Sequence, residues 1–170
     1  YPESGGPSTY RKPIYSNTLR KLSERLLDKI KWYGPAMVEF RIDSVTGIPK
    51  IMEVNGRYWG SLACSIASGV DFPRLHVSMA QQKQVKSGDY DLNVRSRWET
   101  GDILWLISKK RNMFNYISSF LRGISSDKFD FLQRDDPFPF VMSIVEAASF
   151  LFSSKGRKHS LDRGWQYNKR

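Results

Sequence analysis

The chain has 170 residues, 40% of them hydrophobic and 14% aromatic, which is enough apolar material for a packed core and excludes a chain disordered throughout. Its single cysteine, Cys64, excludes an internal disulfide and a zinc site built on several thiolates. The net charge is +10, and half of that excess lies in the last 16 residues, so a dedicated nucleic-acid surface is not expected.

The sequence carries no membrane or export signal that we recognise. The longest apolar run, Phe138 to Phe152, is interrupted by proline, serine and glutamate and is too short and too polar to cross a bilayer. No signal peptide opens the chain. We therefore expect a cytoplasmic protein without a membrane partner. Because no initiator methionine is present, we also expect the natural chain to begin upstream of Tyr1.

The first 88 residues predict a mixture of helices and strands. The Gly-, Pro- and Ser-rich opening through Pro13 is predicted to be a loop or an edge strand. Leucines at three- and four-residue steps predict a helix that Gly34 ends. The predicted elements are a helix from Ser16 or Asn17 to Tyr33, strands at 36–42 and 49–55, a small-residue helix through Ser68 that ends at Gly69, and a helix beginning at Asp71-Phe-Pro73.

Beyond residue 88 the pattern becomes mostly helical. A strand is predicted at 91–98, and a strong amphipathic helix is predicted at 102–122 with Gly123 as its cap. A last helix at 138–152 is apolar on most of its circumference, so it needs a partner, for which the 102–122 helix is the candidate. We accordingly divide the chain into a first region (1–88), a helical extension (89–154) and a basic tail (155–170).

Chemistry is concentrated on the two predicted strands. Side chains alternate between the faces of a strand, so Glu53 and Asn55 point the same way. Antiparallel pairing can place Glu39 on that face too. The register that does so sets Val38 across Val54, Glu39 across Glu53 and Phe40 across Met52.

Two opposed carboxylates repel each other, so a cation is expected between Glu39 and Glu53. Together with the Asn55 amide oxygen they form a hard oxygen set that suits Mg²⁺ better than zinc. Arg57 follows at the rim, where it could pair with an anion bound to that metal. The alternative is a solvent-facing sheet that carries scattered polar residues, and the spacing alone leaves both interpretations open.

The glycine-rich opening also allows two interpretations. The segment from Ser4 to Arg11 could present backbone N–H groups to a phosphate, or it could be an ordinary flexible loop. It matches neither of the common glycine-rich phosphate-binding templates. The pattern alone therefore leaves its role undecided.

The strand pair resembles a known family. The segment Met37-Val-Glu-Phe, then Glu53-Val-Asn-Gly-Arg57, then Tyr-Trp-Gly-Ser-Leu and Ala-Ser-Gly-Val-Asp-Phe-Pro73 resembles the ATP-grasp superfamily, especially the branch of carbamoyl-phosphate synthase large subunits and related carboxylate–amine ligases. It departs at Gly56, where the family usually has proline, and we expect a looser turn there. The resemblance implies an α+β fold for residues 1–88: the C-terminal half of an ATP-grasp domain, a small antiparallel sheet with flanking helices.

The resemblance also implies roles for individual residues. It makes Glu39, Glu53 and Asn55 the ligands of a Mg²⁺ (or Mn²⁺) ion that bridges ATP phosphates, and it makes Arg57 the catalytic arginine that stabilises phosphoryl charge. By analogy with a serine-containing loop in related ligases, the substrate-binding candidates for a carboxylate are Ser8 and Arg11.

The implied function is that of an ATP-dependent ligase that joins a small carboxylate to an amine or thiol acceptor through an acyl phosphate. The partner lobe that supplies phosphate-binding lysines, an adenine-binding strand and a glycine-rich flap is not recognisable, so we expect a fragment that is inactive alone. The alternative is a non-catalytic helical interaction domain whose basic tail binds an acidic partner. The identities of the carboxylate and the acceptor and the oligomeric state do not follow from the sequence.

Overall fold

The computed structural model describes residues 8–86, 88–108, 117–118, 121–123, 125–133 and 135–152. The chain divides into two compact units. We call Pro13–Leu92 the hairpin unit, and Tyr1–Lys12 together with Asn93–Arg170 the terminal unit. Both mix helices with short strands, so the α+β class predicted from the sequence is confirmed.

The described elements follow one another in the order β1 (Tyr10–Arg11), α1 (Asn17–Lys29), β2 (Met37–Ile42), β3 (Pro49–Asn55), α2 (Leu62–Ala67), α3 (Phe72–Ala80), β4 (Ser96–Arg97), α4 (Glu99–Ser108), β5 (Lys128–Phe129) and α5 (Phe138–Phe152). Residues 117–118 and 121–123 are also helical. Among the described residues, no helix combines the length and the apolar character needed to cross a membrane.

Helix α1 begins where the sequence predicts and ends early. The Ser16 hydroxyl caps it by accepting a hydrogen bond from the Leu19 N–H at 3.3 Å. The prediction that it runs to Tyr33 is wrong, because the helix stops at Lys29. Lys31 has a φ of 52°, a left-handed conformation that no α-helix can contain, and the chain turns there before reaching Gly34.

Strands β2 and β3 form a two-stranded antiparallel sheet, as the sequence predicts. Val38 pairs with Val54 and Glu39 pairs with Glu53, so that part of the predicted register is confirmed. The predicted pairing of Phe40 with Met52 is wrong, because the register shifts and Phe40 lies across Ile51. Met52 is thus the extra residue of a β-bulge directly beside the carboxylate pair.

Helix α2 ends and helix α3 begins on the predicted signals, while α3 stops at Ala80, before the polar segment that ends at Gly88. Helix α2 is followed by Gly69 at a φ of 101°, a left-handed position that glycine adopts without strain. The Asp71 carboxylate caps α3 by accepting from the Arg74 N–H at 2.9 Å. Helix α3 then carries His76 on the side that faces Tyr58.

The terminal unit contains a mixed sheet that the sequence did not predict. Strand β4 pairs antiparallel with β1 and parallel with β5, in the order β1-β4-β5. The strand predicted at 91–98 is reduced to Ser96–Arg97. Its length is limited because its partners β1 and β5 each have only two residues.

Helices α4 and α5 contact each other, which confirms for the described part the partner predicted for the apolar 138–152 helix. Helix α4 begins at Glu99, three residues before the predicted start. The prediction that Gly123 caps the helix is wrong, because this glycine is itself helical and has no left-handed φ. A β-carbon there would collide with Asp127 and Arg97, so close approach requires glycine.

Some of the sequence predictions concern residues that lie outside the described part of the chain. The middle of the predicted 102–122 helix (109–116), the first residues of the glycine-rich opening and the basic tail (155–170) lie outside the described residues. The predicted functional boundary at residue 88 stays a prediction, while the compact units divide after Lys12 and after Leu92.

Candidate functional site

The β2–β3 hairpin brings the three predicted ligands onto one face. Directly paired residues in an antiparallel sheet share a face, and the pairs Glu39–Glu53 and Met37–Asn55 are successive same-face positions. Glu39, Glu53 and Asn55 therefore stand together at the end of the hairpin where β3 finishes. Their placement results from strand alternation and from the one-residue shift in register at the Met52 bulge.

The two carboxylates of this face are exposed and opposed. Neither Glu39 nor Glu53 forms an ion pair with any residue in the part of the chain that the structure describes. Like charges directly across a sheet destabilise it by a few tenths to about 1 kcal/mol. A divalent cation between them would remove that repulsion.

The amide of Asn55 is already oriented by its neighbour. Its Nδ2 donates a 2.5 Å hydrogen bond to Glu53 Oε1, and its Oδ1 accepts none from the described residues. Two carboxylates and an amide oxygen fit Mg²⁺ or Mn²⁺ by donor chemistry. Within the described ranges no group of three or more His, Cys, Asp or Glu side chains could hold a metal, so any cation here depends on Asn55 and on ligand oxygens as well.

Arg57 lies in the bend just beyond β3, and its side chain is exposed. Its guanidinium donates one 3.2 Å hydrogen bond to the carbonyl of Tyr58. The Tyr58 hydroxyl is in turn hydrogen-bonded to His76 Nδ1 at 2.9 Å, and the two rings meet edge to face. These contacts hold Tyr58 against helix α3. The Arg57 guanidinium remains exposed and can reach an anion from the solvent.

The turn of the hairpin is organised by Asp43. Its Oδ1 accepts hydrogen bonds from the N–H groups of Val45 at 2.9 Å and Thr46 at 2.8 Å. Those two backbone donors, first Thr46 and then Val45, hold the pKa of the Asp43 carboxyl below its ordinary value. Gly47 completes the turn at a φ of 69°. The turn sets the register from Ile42–Pro49 to Phe40–Ile51, and the bulge at Met52 then shifts it by one residue so that Glu39 lies across Glu53.

Comparison with known families places this hairpin in context. The family model described as "ATP-grasp in the biosynthetic pathway with Ter operon" matches residues 7–101, more than half of the chain and all of the hairpin face. The chain belongs to this ATP-grasp family. Searches of the curated proteins and of the solved structures found no match. Membership implies an ATP-dependent ligase, and the predicted carbamoyl-phosphate synthase-like branch stays a hypothesis.

The ATP-grasp match also includes Ser8 and Arg11, but these belong to the terminal unit. Arg11 donates a 2.6 Å hydrogen bond to Asp130 Oδ2, and both side chains of this ion pair are only 8% exposed. Its Nε also donates to the Ser8 carbonyl at 2.9 Å. The predicted carboxylate-binding role of the two residues stays untested. For Arg11 it would require the pair with Asp130 to open.

A polar cluster that was not predicted from the sequence surrounds Arg97, near the end of the ATP-grasp match. Its Nε donates to Asp127 at 2.5 Å and its NH1 donates to Asp102 at 3.1 Å, while its guanidinium lies over the Tyr10 ring. Burial alone lowers the pKa of Arg97, but the hydrogen bonds with Asp127 and Asp102 outweigh it and raise the pKa above its ordinary value. The cluster stabilises the terminal unit. The spacing of its residues along the chain does not predict it.

Proposed function

We propose that this chain supplies the metal- and phosphate-binding residues of an ATP-dependent ligase that activates a carboxylate for attack by an amine or a thiol. One observation carries the proposal. Glu39 and Glu53 are paired across the hairpin, and Asn55 lies on the same face, within the segment that matches the ATP-grasp family. Family membership supports the ATP-dependent ligase, and the residue set supports the metal.

The ligands proposed for Mg²⁺ or Mn²⁺ are Glu39, Glu53 and Asn55. A bound cation would neutralise the negative charge of the ATP phosphate oxygens. The hairpin holds the two carboxylates in register, so the repulsion already present between them is converted into attraction for the cation. The hydrogen bond from Asn55 Nδ2 to Glu53 Oε1 keeps the two side chains in contact, and the amide turns over for its oxygen to join Glu53 on a bound cation.

Arg57 is proposed as the residue that stabilises the phosphoryl group in transfer. A planar guanidinium forms two parallel hydrogen bonds to phosphate oxygens, and a lysine cannot reproduce that geometry. In the described residues its only hydrogen bond is to the Tyr58 carbonyl, which a phosphate can replace at little cost. We expect the Arg57 guanidinium to stabilise the transition state of phosphoryl transfer more than the bound ATP, because charge redistributes onto the phosphate oxygens there.

The proposed reaction has two steps. An oxygen of the substrate carboxylate attacks the γ-phosphorus of ATP, the bond to the bridging oxygen breaks, and ADP leaves. The lone pair of an amine or thiol then attacks the acyl carbon, and inorganic phosphate leaves. The carbamoyl-phosphate synthase-like branch uses chemistry of this kind, and we extend it to this chain as part of the proposal. Turnover is expected to need the nucleotide-binding lobe that the resemblance implies.

The family match favours this ligase over an interaction domain with a basic tail. The test is ADP release by the full-length enzyme, assayed with panels of small carboxylates, amines and thiols. Glu53→Gln should abolish ADP release that depends on both substrates. Asp28→Asn is the matched control, because Asp28 is an exposed carboxylate of the same unit whose side chain bonds to none of the described residues. Full activity of Glu53→Gln would overturn the assignment.

A further inference from the structure

The hairpin unit contains a cavity of about 340 Å³ between helix α3 and the segment that follows it. It is lined by residues 69–71, by one side of α3 and by residues 84–86 and 88. None of the four residues assigned to the metal and the phosphate lines it. Its volume is at the small end of the range of about 300–1,000 Å³ that is typical of ligand pockets.

Two cationic side chains line this cavity without being used elsewhere. In the part of the chain that the structure describes, neither the Arg74 guanidinium nor the Lys86 ammonium makes a hydrogen bond or an ion pair. The lining carboxylate, Asp71, accepts from the Arg74 backbone N–H through Oδ1 as the cap of α3. With Asp71 included, the lining carries a net positive charge, and its two cationic side chains are exposed donors for an anion.

The rest of the lining combines the polar side chains of Ser78 and Gln84 with aliphatic residues and glycines. Val70, Leu75 and Val85 contribute aliphatic surface, and Gly69 contributes no side chain. An inorganic anion would gain nothing from that surface, whereas the hydrocarbon part of an organic acid would be removed from water against it. The two cations together with the three aliphatic side chains therefore favour an organic carboxylate over inorganic phosphate.

We propose that this cavity binds a small branched or short-chain organic acid, whose carboxylate pairs with Arg74 and Lys86 and whose hydrocarbon part lies against Val70, Leu75 and Val85. This site goes beyond the proposed ligase function, because its residues are separate from the metal and phosphate ligands and its occupancy does not require ATP.

The test is a titration of the 170-residue chain with 3-methylbutanoate at low salt, followed by backbone amide NMR. The expected result is saturable shifts at residues 69–88. The uncharged isostere 3-methylbutanol and inorganic phosphate should each bind at least tenfold more weakly. Equal affinity for the alcohol, or tighter binding of phosphate, would overturn the proposal, as would shifts that never saturate.

Two sets of variants distinguish binding of 3-methylbutanoate in the cavity from nonspecific attraction to the positively charged chain. Arg74→Gln combined with Lys86→Gln should weaken 3-methylbutanoate binding at least tenfold while leaving the amide spectrum of the folded chain otherwise unchanged. Lys83→Gln is the matched control, because Lys83 is an exposed cation of the same segment that does not line the cavity. Equal losses in the control and the double variant would contradict a built site.

Discussion

The indole ring of Trp32 occupies the space that a side chain on Gly56 would need. The indole N–H is held in place by the carbonyls of Gly34 and Pro35, at 3.2 and 3.3 Å. This contact joins the segment after α1 to the bend that follows β3, directly beside Asn55. Any β-carbon at residue 56, that of a proline included, would collide with the ring.

The first prediction concerns this contact. Gly56→Ala should lower the free energy of unfolding by about 1–3 kcal/mol, because the added methyl group must displace the indole. Gly60→Ala is the control, since a β-carbon there meets nothing within 4 Å. Urea unfolding measures both. In a double-mutant cycle, Trp32→Ala should remove most of the Gly56→Ala penalty, and strictly additive effects would contradict the collision.

The second prediction concerns pH and the hairpin turn. The pKa of Asp43 is lowered from its ordinary value of 3.8, so its ionised form binds the turn N–H groups more strongly than its protonated form. The stability it contributes is complete above the unfolded pKa and is lost as the pH falls through the lower folded value. Asp43→Ala should therefore destabilise the chain more at about pH 6 than at about pH 2.

Unfolding by urea at both pH values checks this prediction, with Asp28→Ala as the exposed-carboxylate control. A destabilisation by Asp43→Ala of the same size at both pH values would show that the turn does not depend on the ionised carboxylate.

The third prediction concerns the cluster around Arg97 in the terminal unit. The side chains of Arg97, Asp102 and Asp127 are 11%, 8% and 0% exposed. Removing one member leaves a buried charge without its partner, which typically costs about 3–5 kcal/mol. Arg97→Gln should therefore destabilise the chain by that amount, while Arg95→Gln, at an exposed neighbouring cation, should change stability by less than about 0.5 kcal/mol. Comparable effects of the two changes would contradict a structural role for the cluster.

The fourth prediction separates Arg57 from the metal ligands in the full-length enzyme. Arg57→Lys keeps the charge and loses the planar fork, so kcat should fall by about ten- to a thousandfold with little change in the KM for ATP. That range corresponds to about 1.4–4 kcal/mol, the scale of one preorganised contact. Steady-state ADP release measures it, and a wild-type kcat would leave Arg57 as a structural residue at the strand end.

The carboxylate face could be predicted from the sequence in part, where it depends on local rules. Alternation along β3 fixes Glu53 and Asn55 on one face, whereas Glu39 stands opposite Glu53 because the register shifts by one residue at the bulge. The bulge at Met52 could not be predicted, since alternation carries no information about an inserted residue. It lies between the turn and the Glu39–Glu53 pair, and without it the register of the strand ends beside the turn would set Glu39 across Met52.

Long-range pairing explains most of what the sequence did not reveal. Arg11 and Asp130 are separated by 119 positions, and Arg97 and Asp127 by 30, so no periodic pattern connects them. The strand Lys128–Phe129 exists only because β4 lies beside it. The hydrogen bond between His76 and Tyr58 joins residues 18 positions apart and depends on α3 lying near the end of β3.

The most direct test of the central claim is Mn²⁺ binding to the 170-residue chain, followed by electron paramagnetic resonance of the free ion. We expect an affinity on the order of millimolar, because ATP phosphates are proposed to supply the remaining ligands. Binding should be lost in Glu39→Gln/Glu53→Gln and retained in Asp28→Asn. Equal binding by the wild type and the double variant would contradict a metal site on the hairpin face.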